Sequence, residues 1–313
     1  MPDTLVSIVL LTFNGGPALA ATLEALYQQT LHAPGGPALA FEVIAIDSGS
    51  RDQTLAELQR FPLRLHQIPP AEFGHGRTRN LGARLAQGEW LVYLSQDATP
   101  ADNHWLLNLT RHLNEPGVAA VFGRQLPPRE VGPIETFFLE QTYPAHAFRH
   151  SPTGPGATPI RRIFFSNVNA AIKKSVWAAC PFPENLVMSE DQAFARAALA
   201  AGHSLVYDPQ AAVIHGHRYT LPQLFRRNFD SGYSLRGIAG DGWADVARLG
   251  AGYVWGELAY LARRRRWGTM PYAILYELVK SAGFAAGRSG HRLPAAWRPH
   301  LGLHRAYWLR QHD

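Results

Sequence analysis

An α/β fold, with a mostly parallel sheet flanked by helices and a helical extension at its C-terminal end, is predicted by three features of this 313-residue sequence. Apolar, β-branched runs alternate with segments of helical spacing through the first half of the chain, a pattern that implies parallel strands joined by helical crossovers. The runs are continuous rather than alternating, as burial on both faces of a sheet requires. Several of them end in polar clusters, and ligands of open α/β sheets bind beyond the carboxyl ends of the strands.

The elements follow in order. LVSIVLLT (5–12) reads as the first strand, and Leu19–Gln29 has helical spacing. FEVIAID (41–47) is the second strand, followed by a helix over Gln53–Gln59, and LRLHQI (63–68) is the third strand. Thr78–Gln87 suits a helix, EWLVYL (89–94) a fourth strand and His104–Leu113 another helix. From 127 to 162 Pro, Gly and Arg accumulate, giving a loop-rich stretch of the kind that forms lids and binding loops. RIFFSNVNAAI (162–172) returns to strand character, Ser189–Ala201 is a helix, and SLVYD and AAVIH are two short strands. From Leu221 the chain is helical and basic, so the expected division is a catalytic domain over 1–220 and a basic helical region over 221–313. There Ala251, Val254, Trp255, Leu258, Leu261 and Ala262 share a helix face that runs into Arg263–Arg266. That stripe suits a peripheral membrane face, or packing on the sheet domain with the arginines solvated.

Composition narrows the function. Hydrophobic residues at 46% and charged residues at 17% exclude a disordered chain. A formal charge of +6 and a pI near 9.6 favour an anionic partner: a nucleotide, a membrane surface or a nucleic acid. No nucleic-acid-binding signature is present, so that third partner is not expected. One cysteine, Cys180, excludes an internal disulfide framework and a thiolate zinc site. The N-terminal stretch lacks the basic start and cleavage site of a signal peptide. PYAILYELVKSAGFAAG, the nearest approach to a membrane span, is interrupted by Glu277 and Lys280. A cytoplasmic protein is expected, with peripheral contact at the inner membrane face as an option.

The polar strand ends carry the chemistry. The first strand ends in Thr12, Phe13 and Asn14, the second in DSGSRDQT with Asp47 at its tip and Asp52 beyond, and the fourth in Ser95, Gln96 and Asp97. Asp, Thr and Pro are ordinary turn residues, so one such end means little. Three of them in a parallel sheet converge on one rim, where a ligand would bind.

Seven segments in order, TFN, IDSGSRDQT, RTRNLGA, LSQDATP, FFSNVNAAIKKSVW, PFPENLVMSEDQAFARAALAAGH and YDPQAAVIHGH, resemble the motifs of family 2 glycosyltransferases, which have the GT-A fold. The resemblance covers residues 4–235, and LSQDATP, SNVNAAI and SEDQAFA are most similar to those of bacterial rhamnosyltransferases. It implies an inverting transfer from a nucleotide sugar, dTDP-L-rhamnose, to a saccharide or polyprenyl-linked saccharide, with Mg²⁺ or Mn²⁺ on the diphosphate. Asp97 then stands at the last position of the Asp-X-Asp metal motif, with Ser95 in place of the first acid. His215 and His217 are the further metal ligands implied, although a lone His after a strand is also a common turn residue. Thr12, Phe13, Asn14, Asp47, Arg79, Asn80, Ser95 and Gln96 are implied for the nucleotide sugar, with Asp47 able to accept from a pyrimidine N3–H or simply to close its turn. Asp52 reads as a helix N-cap. Arg79 suits bidentate pairing with phosphate, whereas His75 and Arg77 equally suit a solvated helix start. Asn167 and Asn169 are implied near donor sugar or acceptor. Asp191 matches the catalytic base, with Glu190 as a like-charged neighbour, though Ser189 followed by two acids is also good capping chemistry. Two alternatives stay open at this point: a nucleotidyltransferase, disfavoured because the first turn offers only Gly15–Gly16, and a basic nucleic-acid-binding protein, supported by charge alone.

Overall fold

Strand β1 (Thr4–Thr12) is followed by α1 (Gly16–Tyr27), β2 (Leu39–Asp47), α2 (Thr54–Leu58), β3 (Arg64–Gln67), α3 (His75–Leu85) and β4 (Trp90–Ser95). This is the alternation expected, in a computed structural model that describes residues 4–32, 38–154 and 156–310. The first three residues of the stretch read as free of a signal peptide lie outside the described residues, as does residue 155 of the loop-rich segment. Next come β5 (Thr99–Pro100), α4 (Trp105–Thr110), β6 (Val118–Leu126), α5 (Pro133–Thr142), β7 (Phe148–His150), β8 (Asn169–Lys173), α6 (Lys174–Ala179), α7 (Glu190–Ala200) and β9 (Ser204–Ile214). The C-terminal region holds α8 (Leu221–Leu235), α9 (Trp243–Arg263), α10 (Met270–Arg288), α11 (Arg298–Leu301) and α12 (Arg305–Arg310).

Among the described residues one sheet runs β3-β2-β1-β4-β8-β6-β9-β5, with β7 also on β9. Its first four strands are parallel, β8 is antiparallel to both β4 and β6, and β6 runs parallel to β9. Alternate residues of each strand feed two apolar layers. Val9, Ile44 and Tyr93 face Ala83 of α3 and Phe194 of α7, whereas Ile8, Leu10 and Val92 face Leu19, Leu23 and Leu26 of α1 and Trp105 of α4. Each such leucine, fully withdrawn from water, contributes about 1.5–3 kcal/mol. α3 lies close on β1 because Gly82 has no Cβ to strike Val9.

Four stretches are sharpened by the structure. VAAVFGRQL, unassigned from sequence, is β6, a buried strand inserted between β8 and β9. The 127–162 stretch is not loop throughout, since it contains α5 and β7. RIFFSNVNAAI is extended as a strand only from Asn169, the Ile160–Arg162 turn being 3₁₀. SLVYD and AAVIH form one strand, β9, which crosses an irregularity in its pairing with β6 between Gly123 and Gln125.

Residues 221 onward are held together, and then to the sheet domain, by polar contacts. Asp230 of α8 accepts from the Leu303 and His304 backbone N–H groups and from Trp308 Nε1, at 2.8–2.9 Å. Tyr307 Oη donates to the Asn185 carbonyl, and Arg310 Nη2 to the Phe73 carbonyl, each at 2.8 Å. α10 lies tightly along α8 through Gly283 and Gly287, where any Cβ would overlap the Phe225 and Phe229 carbonyls. α9 packs Tyr253 and Tyr260 against Phe137 of α5.

Between α9 and α10, Glu257 is fully buried and neither of its carboxylate oxygens has a hydrogen-bond partner. Burial, and then the charge of Glu277, push its carboxyl up from 4.5 to about 7. An acid with a raised folded-state pKa contributes stability that is fully present below the unfolded value of 4.5 and lost as pH rises through about 7. Glu257→Gln is therefore expected to stabilise the protein by about 1–2 kcal/mol at a pH near 8.5 and by nothing measurable near pH 5. Thermal melting at the two pH values checks this; equal shifts at both would contradict it.

Candidate functional site

The carboxyl ends of β1, β2 and β4 meet at one rim, and their loops are tied to one another by side chains. Asp47 is fully buried, and its carboxylate accepts from Thr12 Oγ1 (3.1 Å), the Gly49 and Ser50 backbone N–H groups (3.0 and 2.9 Å) and Ser50 Oγ (2.5 Å). Four donors fill a carboxylate, so this geometry favours the turn-closing role over a free acceptor for a base. Asn14 turns the chain at φ +46° and accepts from the Arg51 N–H at 2.9 Å. Asp52 accepts from Thr54 N at 3.0 Å and Gly16 N at 3.2 Å, tying together the starts of α2 and α1. Gln96 pairs twice with the Phe13 backbone, accepting at 2.9 Å and donating at 3.1 Å, which locks β1 to β4 at the rim.

These ties leave a cavity of about 200 Å³ lined by Thr12, Phe13, Ser48, Arg79, Ser95 and Asp97 among others, with Tyr93 in its wall. Phe13 stands half exposed at its edge. A larger cavity of about 590 Å³ lies at the amino end of β4, between Gln87, Trp90 and Lys173, away from the polar strand ends. The smaller cavity is the one at the carboxyl ends, where Asp97 in its lining also belongs to a cluster of possible metal ligands.

Beside it β9 delivers two imidazoles. His215 Nε2 lies 3.5 Å from Asp97 Oδ1, and His217 Nδ1 lies 3.8 Å from Asp97 Oδ2. The Gln125 amide orients the first ring: its Nε2 donates to Tyr143 Oη at 2.6 Å, so its Oε1, 2.8 Å from His215 Nδ1, accepts the ring proton. That leaves the Nε2 lone pair facing the carboxylate. Burial outweighs the attraction of Asp97 and holds His215 down to about 4, and His217 is lowered by the same cause. Both rings are thus neutral at physiological pH. One carboxylate and two imidazole lone pairs, with donor atoms all within 4.8 Å of one another, fit a divalent cation. Replacing Gln125 with Leu is expected to weaken metal-dependent nucleotide binding about 10–100-fold, the usual cost of losing the group that orients a ligand histidine. Mn²⁺ titration in the presence of dTDP measures it.

The second acidic group sits at the start of α7. Ser189 lies in the left-handed region at φ +66° and makes no capping hydrogen bond, so capping does not account for this sequence. Glu190 is buried against Arg79, with Nη1 2.5 Å from Oε1. Burial pushes its carboxyl up, but Arg79 foremost among its neighbours outweighs that, and the net shift is downward. Arg79, expected on phosphate, is thereby committed to holding Glu190 ionised. Asp191 accepts from the Gln192 N–H at 2.9 Å and the Asn167 N–H at 3.3 Å. Burial, and then the Glu190 charge, push it up to about 7. Asn167 is buried beside this pair, and its amide forms no hydrogen bond of ordinary geometry.

Two expected residues are engaged in bonds between elements. Asn80 spends both side-chain atoms on Trp177 Nε1, the Phe182 backbone and Glu184. Asn169 ties Trp105 Nε1 to the Ala211 carbonyl. Both are buried fasteners between elements. The structure adds Gln125 and Arg227. Arg227, on α8, lies over the Tyr219 ring at 5.4 Å, and its charge acts on both His215 and His217. Among the described residues it has no carboxylate within ion-pair distance. His304 adds a second imidazole beside the acid pair, 4.9 Å from His75 edge to face. None of these was visible in the sequence, because each comes from an element whose approach only the fold reveals.

A sheet of this order with a cavity and a carboxylate–imidazole cluster at its carboxyl rim has known counterparts. The model of glycosyl transferase family 2 matches residues 7–174, more than half of the chain. The chain belongs to that family. This family 2 glycosyltransferase is 29% identical over 312 residues to the O-antigen chain rhamnosyltransferase RfbN of Salmonella typhimurium, covering 97% of this chain and 96% of the relative. Its identity with the O-antigen chain rhamnosyltransferase WbaN of Salmonella anatum is 29% over 308 residues, 96% and 95% of the two chains. Among solved structures it is similar to the mannosyltransferase PcManGT from Pyrobaculum calidifontis in complex with GDP-Man and Mn²⁺, with a TM-score of 0.58 at 20% identity over 99% of this chain and 87% of that one. The UDP complex of S. aureus TarS 1–349 gives a TM-score of 0.55 at 15% identity, over 92% and 91%. These likenesses establish the GT-A fold, and the family membership establishes a glycosyltransferase resembling O-antigen rhamnosyltransferases. Sugar transfer therefore displaces the nucleotidyl-transfer and nucleic-acid readings.

Proposed function

We propose that this glycosyltransferase moves L-rhamnose from dTDP-L-rhamnose, with inversion and with a divalent cation, to a saccharide or lipid-linked saccharide in cell-surface polysaccharide synthesis. The observation that carries the chemistry is the pairing of Asp97, His215 and His217 at the cavity mouth with an Asp191 carboxyl raised to about 7. The choice of sugar is supported by the two rhamnosyltransferase relatives.

The nucleoside enters the cavity between the tips of β1 and β4, against Phe13 and the Tyr93 wall, with Ser95 able to bond ribose or phosphate. Asp97, His215 and His217 would hold the cation, and of the two ions expected this imidazole-rich set favours Mn²⁺ over Mg²⁺. A cation held there would supply positive charge to balance the departing diphosphate. Arg227, whose charge acts on both imidazoles of this cluster, supplies the chain's own share of that neutralisation. Asp191 takes the acceptor hydroxyl's proton as the oxygen attacks the anomeric carbon from the face opposite the nucleotide. With a β-linked donor the product is an α-L-rhamnoside. Residues 1–220 carry the nucleoside, cation and base positions, and the 221–313 region adds Arg227 beside the diphosphate and His304 beside the acid pair.

Incubating the protein with dTDP-L-rhamnose, UDP-GlcNAc or GDP-mannose, a rhamnose-containing oligosaccharide and Mn²⁺ tests the proposal. Release of dTDP with an α-linked product by NMR is expected. Turnover of UDP- or GDP-sugars alone would overturn the donor assignment and leave the family intact.

A further inference from the structure

We propose that the hairpin of α9 and α10 is a docking surface for an anionic lipid bilayer, which lies against it without being spanned. The proposal deepens the reading above by placing the site at the surface where a lipid-linked acceptor is presented.

The apolar stripe expected on α9 divides in the structure. Leu261 turns inward onto Ile134 and Ala273, whereas Trp255 is 77% exposed. The larger apolar face belongs to α10. Its small residues Gly283 and Gly287 take the contact with α8, which turns Ile274, Leu275 and Leu278 outward. These three recur at helical spacing, stand 44–63% exposed, and are joined by Trp267 at the turn, 60% exposed. An exposed face of this kind on a folded chain marks an interaction site.

Charge identifies the occupant. The turn between the two helices carries Arg263–Arg266, all exposed. Arg264 reaches Glu140 at 3.7 Å, but Arg263, Arg265 and Arg266 have no acidic partner within 4 Å among the described residues. Unpaired arginines beside tryptophans and leucines suit phosphate headgroups above an acyl layer, the arrangement of interfacial helices. Among the described residues no helix is long and apolar enough to cross a membrane. α10 is apolar on one side only, with Glu277 and Lys280 turned toward the protein. The docked hairpin also reaches the site: α9 packs on α5, which carries Glu135 up to the backbone of His217.

The test is co-sedimentation of the full chain with vesicles of phosphatidylcholine alone, or containing about 30% phosphatidylglycerol, at low and high salt. Binding to the anionic vesicles alone is expected, and it should fall at high salt. The double variant Leu275→Asp/Leu278→Asp and the charge variant Arg263→Gln/Arg265→Gln/Arg266→Gln should each lower the bound fraction at least tenfold. Melting temperature and dTDP binding should be unchanged in both, and dTDP binding reports separately on the proposed donor reaction. No binding by the parent protein, or binding that neither variant alters, would overturn the proposal. A solution dimer that the leucine variant converts to monomer, without vesicle binding, would assign the face to a second copy instead.

Discussion

Asp191→Asn is expected to lower sugar transfer by about 10²–10⁴-fold, the range spanned by general-base catalysis, while donor affinity changes little. The argument rests on position and environment. Asp191 opens α7 on a strained turn at Ser189, and its two backbone hydrogen bonds aim the carboxylate without neutralising it. Arg79 saturates Glu190, which is thereby kept charged and poorly suited to accept a proton. The Glu190 charge then helps raise Asp191 to about 7, so the pair divides into one fixed anion and one titrating base. Since a base must be deprotonated, kcat/KM should rise with pH through about 7, an apparent value that belongs to the coupled pair. Arg79→Met should displace this limb upward, because Glu190 and Asp191 would then share a proton. Full turnover by Asp191→Asn, or a pH profile flat from about 5.5 to 8.5, would remove Asp191 from the base role.

How much of this could be read from sequence follows from the range of each interaction. Parallel strands and their polar ends are local patterns, and Asp97, His215 and Asp191 stand out because their motifs are short and ordered. Asn80 and Asn169 look identical to ligand-binding residues in sequence. Only their packing shows that each is spent on a buried indole and on backbone groups. β6 escaped because VAAVFGRQL runs without a break into the Pro-rich loop that follows, and its partners β8 and β9 lie far along the chain. Gln125 and Arg227 escaped for the same physical reason: an orienting amide and an unpaired guanidinium acquire meaning only from what the fold sets opposite them.

Asp97→Ala is expected to abolish the metal-dependent part of donor binding, and here charge decides the size of the effect. Ser95 stands where the Asp-X-Asp pattern has its first acid, so Asp97 is the sole carboxylate in the cluster with His215 and His217. Without it the cation meets two neutral imidazoles and loses the anion that balances its charge on the protein side. Calorimetric titration with dTDP should show affinity rising on addition of Mn²⁺ for the parent protein and no such rise for Asp97→Ala, with equal metal-free binding in both. His217→Ala should cost less, because that ring is 40% exposed and lies farther from the carboxylate, at 3.8 Å. His215→Ala should approach the Asp97 result, since Gln125 holds that ring in place. The buried environment adds a pH signature. With its pKa lowered to about 4, His215 stays neutral where an ordinary histidine would already be protonated. Metal-dependent dTDP binding should therefore persist to about pH 5 instead of failing near 6.5. A Mn²⁺ response retained by Asp97→Ala would show that the cation is held elsewhere.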